Sequence, residues 1–548
     1  MQARLCAAAR RARAWIAGAR GRAVAHSCGE SLQLPLTAPA LGGCAPPRGA
    51  RQIWQVLPLV PPDADYWSPY SGRDAHCGNP LLISLELLAE DGLLQRSELP
   101  PVLPVGAAEF VRHAAEAEPL LDLAALRLLG GTSPGARILQ KELKAFRADP
   151  GVAPWLEDAA LFAAIAHSSD ALRSAPWWEW PDELRRRAPA ALARVRAERR
   201  ADIDRFCAIQ FLFDRQWRRL KAYANARGVA LVGDMPIYVG GHSADVWAHP
   251  QLWTLGADGV AGAVSGTPPD AFSETGQLWG SPLYDWPAHA AEGYRWWASR
   301  LGRALALHDE VRIDHFRGLA GYWSVPGDAP TALSGCWKLG PGLSFFKGIK
   351  ARLGDVPLVA EDLGDITADV VALRTAIGAP GMAVLQFGWD GNPKNPHLPH
   401  NHEANAFVYP GTHDNETMAG WFAGASPVHR ANFCAYLGTS GADHAWEALR
   451  MCMMSVARTV VVPMQDVLRL GNEARMNTPG VAAGNWAWRV GPPGVFGSLA
   501  AEAAGLRAMA AQYDRLAPGA PVVMPPPEDE AAPAAAAPAA ADDEGGEG

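Results

Sequence analysis

Short runs of β-branched and aliphatic residues recur along the second half of the chain. Most are followed by a stretch long enough for a helix. Val229-Ala-Leu-Val-Gly-Asp234 is one such run, and others start near 310, 357, 381, 406 and 459. Continuous apolar runs of this length read as strands buried on both faces, and strands alternating with helices imply a parallel sheet. An earlier run, Ile53 to Leu59, is another buried strand and leads into a turn-rich segment up to Tyr70. From about 85 to 223 the spacing is mainly helical, with short amphipathic segments around 107–128, 138–147 and 156–166. A clearer helix follows, with Ile203, Phe206, Phe213, Trp217, Leu220 and Ala224 on one face and Gly228 placed as its C-cap. The number of repeats predicts an α/β fold, a (β/α)8 TIM barrel, with a largely helical insertion at about 85–200 after an early strand.

Length and composition narrow the partners. The 548 residues suit one large barrel with insertions, and 49% hydrophobic content supports a full core. A net charge of -8 argues against nucleic acid as the main partner. The chain has 21 Trp, more than packing requires, and flat aromatic faces stack well on sugar rings. Eight scattered cysteines without a CxxC pattern predict free thiols and no zinc site. No apolar run approaches the ~20 residues needed to span a membrane. Residues 1–30 hold six Arg and no acid before Glu30, the composition of a transit peptide. This places the protein in a plastid, or in the cytoplasm if the segment is not a leader. Residues 31–516 are read as the catalytic unit and 517–548 as a disordered Pro/Ala-rich acidic tail.

Three of the runs end in carboxylates: Asp314 in Arg312-Ile-Asp-His-Phe-Arg-Gly318, Glu361 in Ala360-Glu-Asp-Leu-Gly364, and Asp414 in Gly411-Thr-His-Asp-Asn415. Strand ends are where parallel β/α proteins carry catalytic groups. A retaining glycosyl transfer needs one carboxylate as nucleophile and a second as acid/base. Asp314 is short and suited to attack. Glu361 has the longer reach to a glycosidic oxygen and is expected to have a raised pKa. Arg312, two residues earlier, lies on the same strand face as Asp314 and would hold it ionised, whereas Asp362 points the other way. Asp414 with His413 would grip sugar hydroxyls. The rival for a carboxylate cluster is a metal, but these acids are spread over a hundred residues with no metal-loop or HExxH spacing. The stretch from Pro268 to Gly280, with Asp270, Phe272 and Trp279, is punctuated by Gly and Pro and reads as a lid that would screen a covalent intermediate from water. Segments 475–480 and 485–489 add polar groups after the last strand.

These motifs, with Trp54-Gln-Val-Leu-Pro-Leu59, Ser68-Pro-Tyr70, Gly78-Asn-Pro80, Asp234-Met-Pro-Ile237, Gly276-Gln-Leu-Trp-Gly280 and Ala474 to Gly480, resemble the 4-α-glucanotransferases of the amylomaltase type, also called disproportionating enzymes. The match runs in order from about 51 to 515. The resemblance implies transfer of an α-1,4-glucan segment in starch and maltooligosaccharide metabolism, without a cofactor. It implies Asp314 as nucleophile, Glu361 as acid/base and Asp414 as transition-state stabiliser. It also implies glucan contacts from Ser68, Tyr70, Asp234, Gln277, Trp279, Arg312, His413 and Asn477, and its plastidial members fit the Arg-rich N-terminus. Residues 31–50 lack the first strand-and-helix unit that such enzymes carry before the Trp54 motif. Two alternatives follow: an α-amylase-like hydrolase, and a glucan-binding protein impaired by that degenerate first unit. Chain-length preference and oligomeric state are not legible.

Overall fold

The computed structural model describes residues 23–26, 52–63, 66–101, 106–269, 273–491 and 495–516. Asp270 and Phe272, expected in a lid, lie outside the described residues, as does the tail 517–548.

Among the described residues, twelve strands form three four-stranded sheets. In chain order they are β1 (Ala23–His26), β2 (Gln52–Gln55), β3 (Val229–Met235), β4 (Ala263–Thr267), β5 (Gln277–Pro282), β6 (Glu310–Ile313), β7 (Gly321–Pro326), β8 (Cys336–Leu339), β9 (Leu358–Ala360), β10 (Gly381–Val384), β11 (Ala406–Tyr409) and β12 (Thr459–Pro463). Two sheets are wholly parallel, ordered β2-β3-β6-β9 and β1-β12-β11-β10. They meet at both sides. Ala360 at the end of β9 donates its N–H to the Pro380 carbonyl just before β10 at 2.9 Å, and β1 packs beside β2. One apolar cluster draws Ile53, Val232, Val359, Val384, Phe407 and Val461 from six of these strands, so both sheets share an interior. The Tyr409 hydroxyl donates to Gln55 Oε1 at 2.9 Å, linking β11 with β2. Every residue of β3, β9, β10, β11 and β12 is buried, as expected of parallel strands covered on both faces.

Strand β1 lies inside the segment read from composition as a leader, and it pairs in parallel with β12 along Ala23↔Val460 to His26↔Pro463. A strand thus stands beside β2 although residues 31–50 carry no strand pattern.

Between β2 and β3 the chain is helical, including Phe110–Gly130, Pro134–Ala148, Ala153–Ala166 and Arg200–Asn225. The last of these buries Ile203, Phe211, Phe213 and Ala224 and gives way to Gly228 at φ +76°, a left-handed turn that favours glycine. Most of the Trp residues are structural. Trp253, Trp286, Trp296 and Trp297 pack with Tyr284 and Phe345 in one buried aromatic cluster. The described cysteines Cys77, Cys207, Cys336, Cys434 and Cys452 are all free. Among the described residues, no helix is long and apolar enough to cross a membrane.

The third sheet, β5-β4-β7-β8, is antiparallel and was not legible in the sequence pattern. Part of the loop expected over 268–280 is strand β5. A register shift in β4, half-exposed faces and Gly/Pro punctuation hide the alternation that would reveal these strands.

Candidate active site

Asp314 directly follows β6, Glu361 directly follows β9, and His413 and Asp414 follow β11 by a short turn. Because β6 and β9 are paired neighbours in register, with Ile313 opposite Ala360, the first two carboxyls leave the sheet side by side. The backbone then crosses between them. Phe316 N–H donates to the Glu361 carbonyl at 3.0 Å, and His315 N–H donates to Glu361 Oε2 at 2.7 Å. His315 adopts φ +48°, a left-handed turn that redirects the chain immediately after Asp314.

Arg312 is the electrostatic centre. It is buried and pairs with Asp234 from β3 through Nη1, while Nη2 lies 3.0 Å from Asp314 Oδ1. Burial works against its charge, but Asp234 and Asp314 outweigh burial and keep it firmly protonated. Asp234 Oδ2 also accepts from the Tyr70 hydroxyl at 2.7 Å. That hydroxyl lies 2.9 Å from His413 Nε2, and the Tyr70 and His413 rings stack at 5.3 Å. One polar network therefore runs from Asp314 through Arg312, Asp234 and Tyr70 to His413, built from four separate parts of the chain.

Burial pushes the Asp314 carboxyl above the usual carboxylate range, Arg312 opposes it, and Asp234, Glu361 and Asp414 add to the rise. Burial also pushes Glu361 up to about 7, opposed by Arg312 and by backbone donors, including Leu363 N–H at 3.0 Å from Oε1. Asp362 points away from this pair. It accepts from Met382 N–H at 2.7 Å and lies 3.0 Å from Arg374 Nε. Burial lowers the His413 pKa, which favours the neutral ring.

Asp414 is held from the far side. Asn477 Nδ2 donates to its Oδ1 at 2.6 Å, Arg475 Nη2 donates to its carbonyl at 2.7 Å, and His413 Nε2 lies 3.3 Å from Oδ2. Asn477 N–H donates to the His413 carbonyl at 3.0 Å, which ties the two loops together. Trp286 and its neighbours stay in the core, but Trp279 on β5 is 39% exposed and sets its edge against His315, ring centroids 4.8 Å apart. Gln277 Oε1 accepts from the Trp279 indole N–H at 3.3 Å. Ser68 sits at the rim, where its Oγ accepts from Tyr70 N–H at 3.2 Å.

Sequence reasoning missed two features. The backbone N–H of His315 serves Glu361, and no side-chain motif can announce a main-chain donor. Trp486 is buried beside Tyr70 and His413, at 5.8 Å and 6.0 Å between ring centroids, although its stretch read only as a source of polar groups. Asp74, His76 and Asp245 form the one group among the described residues with metal-like spacing, and it lies outside this site. Asp74 Oδ1 accepts from Cys77 N–H at 2.7 Å, Asp245 Oδ2 accepts from Ala75 N–H at 2.7 Å and His76 Nδ1 lies 3.1 Å from Asp245 Oδ1, while His76 Nε2 has no hydrogen-bond partner.

A sequence profile of the 4-alpha-glucanotransferases matches residues 47–493. The chain belongs to the 4-alpha-glucanotransferase family. It is 49% identical over 465 residues to the chloroplastic/amyloplastic 4-alpha-glucanotransferase DPE1 of Arabidopsis thaliana, covering 85% of this chain and 79% of that protein. The 4-alpha-glucanotransferase of Thermus thermophilus is 44% identical over 474 residues, covering 85% of this chain and 92% of that one. The structure superposes on an amylomaltase from Streptococcus agalactiae in complex with acarbose, with a TM-score of 0.77 and 33% identity over 85% of this chain and 92% of that one. An amylomaltase from Corynebacterium glutamicum, at 17% identity and TM-score 0.66, shares the fold and covers 85% of this chain and 70% of that one. The chain is thus a 4-alpha-glucanotransferase, and its site has to account for transfer between α-1,4-glucans.

Proposed function

We propose that this 4-alpha-glucanotransferase works by retaining double displacement at the top of a closed (β/α)8 barrel. Support for closure comes from the eight parallel strands lying side by side in chain order and from the core cluster shared by both parallel sheets. The helical segment between β2 and β3 is then an insertion on the barrel. The observation that carries the mechanism is the unequal treatment of two neighbouring carboxyls. Asp314 faces a guanidinium at 3.0 Å, whereas Glu361 accepts only backbone N–H groups. A proton shared by this pair resides on Glu361, and its presence there removes one of the charges that raise Asp314.

With that arrangement, Glu361 protonates the glycosidic oxygen as Asp314 attacks the anomeric carbon. The C–O bond to the leaving glucan breaks and a covalent glycosyl–Asp314 ester forms. Ionised Glu361 then takes the proton from the 4-hydroxyl of an acceptor glucan or glucose, which attacks the same carbon and releases Asp314. Asp414, braced by Asn477, and neutral His413 contact sugar hydroxyls and strengthen as positive charge develops on the ring. Tyr70, Asp234, Ser68, Gln277 and Trp279 line the donor and acceptor path. The substrates are α-1,4-glucans and maltooligosaccharides. The glucan-binding alternative is disfavoured because all three acids are positioned at strand ends.

Maltotriose is the deciding substrate. Transfer yields free glucose together with longer chains and no net gain in reducing ends. A net rise in reducing ends with no longer chains would mean that water is the acceptor and would replace this reading with hydrolysis.

We further propose a plastidial location. It is supported by the Arg-rich, acid-free residues 1–22 ahead of β1, whose removal leaves all eight parallel strands in place, and by relatives described as chloroplastic/amyloplastic. A fluorescent protein carrying residues 1–50 should enter plastids in a plant cell, and retention in the cytosol would refute the assignment.

A further inference from the structure

The antiparallel sheet spans from Trp279 on β5 at one edge to Trp337 on β8 at the other, and both edges touch the turn that follows Asp314. Trp279 rests on His315. At the far edge, the Arg317 guanidinium lies 3.7 Å from the centroid of the Trp337 ring. Arg317 is itself buried and sits 3.7 Å from Asp365, four residues beyond Glu361. Trp337 is therefore mounted on a support shared with the loops that carry both reacting carboxyls.

The register gives this edge a defined face. Leu278 is opposite Gly266, Gly266 is opposite Trp323, and Trp323 is opposite Trp337, so these positions form one row across the sheet. Residues directly opposed in an antiparallel pair point to the same face. Leu339 lies two residues beyond Trp337 and shares it. Trp323 is fixed in this row. Its indole N–H donates to the Ala332 carbonyl at 2.9 Å, and the ring lies against Gly335, where a Cβ would come within 2.1 Å of Nε1. Trp323 meets Trp337 edge-to-face at 5.1 Å. Despite these contacts Trp337 remains 41% exposed, Leu278 41% and Leu339 88%.

Part of this face is covered, because Val264, Val325 and Ala332 pack together with Trp323 against them, whereas Trp337, Leu278 and Leu339 at its margin stay exposed and core packing does not explain them. A rigid indole backed by a guanidinium, with a second Trp beside it on a flat sheet, is a surface on which the apolar faces of pyranose rings stack. Trp279 follows Leu278 and lies outside this row, so a chain leaving the cleft past Trp279 reaches the row by rounding the exposed β5 edge at Leu278, three inter-strand steps or about 14 Å from β8. We propose that Trp337, with Trp323 and Leu339, forms a second binding platform for α-1,4-glucan, outside the catalytic cleft and joined to it around the β5 edge. It holds the far part of a long chain and so favours long substrates over short ones. This rests on the transferase reading above. An edge strand also offers free backbone groups to another protein chain, so a second copy is the competing occupant.

The test measures binding by calorimetry in the Asp314→Ala protein, which cannot turn substrate over, with maltotriose and with amylose of defined length as ligands. Adding Trp337→Ala should weaken amylose binding about tenfold and maltotriose binding less than twofold, and Trp337→Phe should restore most of the loss. Equal losses for both ligands would make Trp337 part of the cleft or of the fold, and no loss would leave it without a role in glucan binding. Either result overturns the platform. So would a change in sedimentation from dimer to monomer with glucan affinity unchanged, which would identify a subunit contact. The maltotriose product profile of the wild-type enzyme tests the transferase reading separately, so failure of the platform and failure of that reading are distinguishable.

Discussion

The backbone N–H of His315 donates a hydrogen bond to Glu361 Oε2 at 2.7 Å, so the residue that follows Asp314 holds the Glu361 carboxyl. The two acids are positioned by a single turn of chain, and a shift of that turn moves both.

Burial of Glu361 predicts the alkaline limb of the activity profile. With its pKa pushed up to about 7, the protonated fraction falls as pH rises past that value, and kcat/KM for maltooligosaccharides should fall about tenfold per pH unit on the far side. Glu361→Gln should lose about 10²- to 10⁴-fold in kcat/KM with glycosidic donors. It should lose far less with an α-maltosyl fluoride donor, because fluoride departs without a proton. An equal loss with both donors would remove Glu361 from the acid role.

Asp314 should be recoverable as a covalent adduct. A fluorinated glycosyl fluoride that slows the second displacement should add its sugar mass to the peptide containing Asp314, and peptide mass spectrometry reads it. Label on Asp414 or Asp234 instead would reassign the nucleophile. Arg312→Met, which strips the counter-charge from Asp314 and from buried Asp234, should abolish labelling and cost about 3 to 5 kcal/mol of stability.

Asn477 acts through Asp414. Removing its hydrogen bond to Asp414 Oδ1 in Asn477→Ala should lower kcat by about 10- to 150-fold, the range for a hydrogen bond to a charged group, with a smaller change in KM. A change confined to KM would mean that Asn477 serves ground-state binding alone.

Asp466 lies beneath the loop that carries Asp414. It is buried and accepts from Met418 N–H at 2.7 Å, while its second oxygen has no hydrogen-bond partner in a cavity shared with Gln465 and Arg475. Burial pushes its pKa up to about 7. An unfolded Asp titrates near ~3.9, so between that pH and about 7 the folded state binds more protons and stability falls as pH rises. Asp466→Asn should remove this component. Its melting temperature should drop less than that of the wild type between pH 5 and 8, and an unchanged slope would show that Asp466 is not the group responsible.

The chain alone determined the parallel strands, the three acids at strand ends and the long helix before β3, because each is written in a local run of residues. A buried apolar stretch followed by a carboxylate is a signal carried within a few positions. The antiparallel sheet was not legible, since half-exposed strands with a register shift and Gly/Pro punctuation lose their alternation. Nor was the joining of Tyr70, Asp234, Arg312 and His413 into one network. Those residues span more than three hundred positions, and only the packing of β3 against β6, with the loop after β11 brought close, puts a hydroxyl, a carboxylate, a guanidinium and an imidazole within hydrogen-bond reach. Arg312 beside Asp314 and a raised pKa for Glu361 were expected from the chain, whereas the backbone N–H groups that hold Glu361 were decided only in three dimensions. Both carboxyls are half-buried and both feel Arg312, but only Asp314 pairs with it directly, while Glu361 accepts hydrogen bonds from peptide N–H groups.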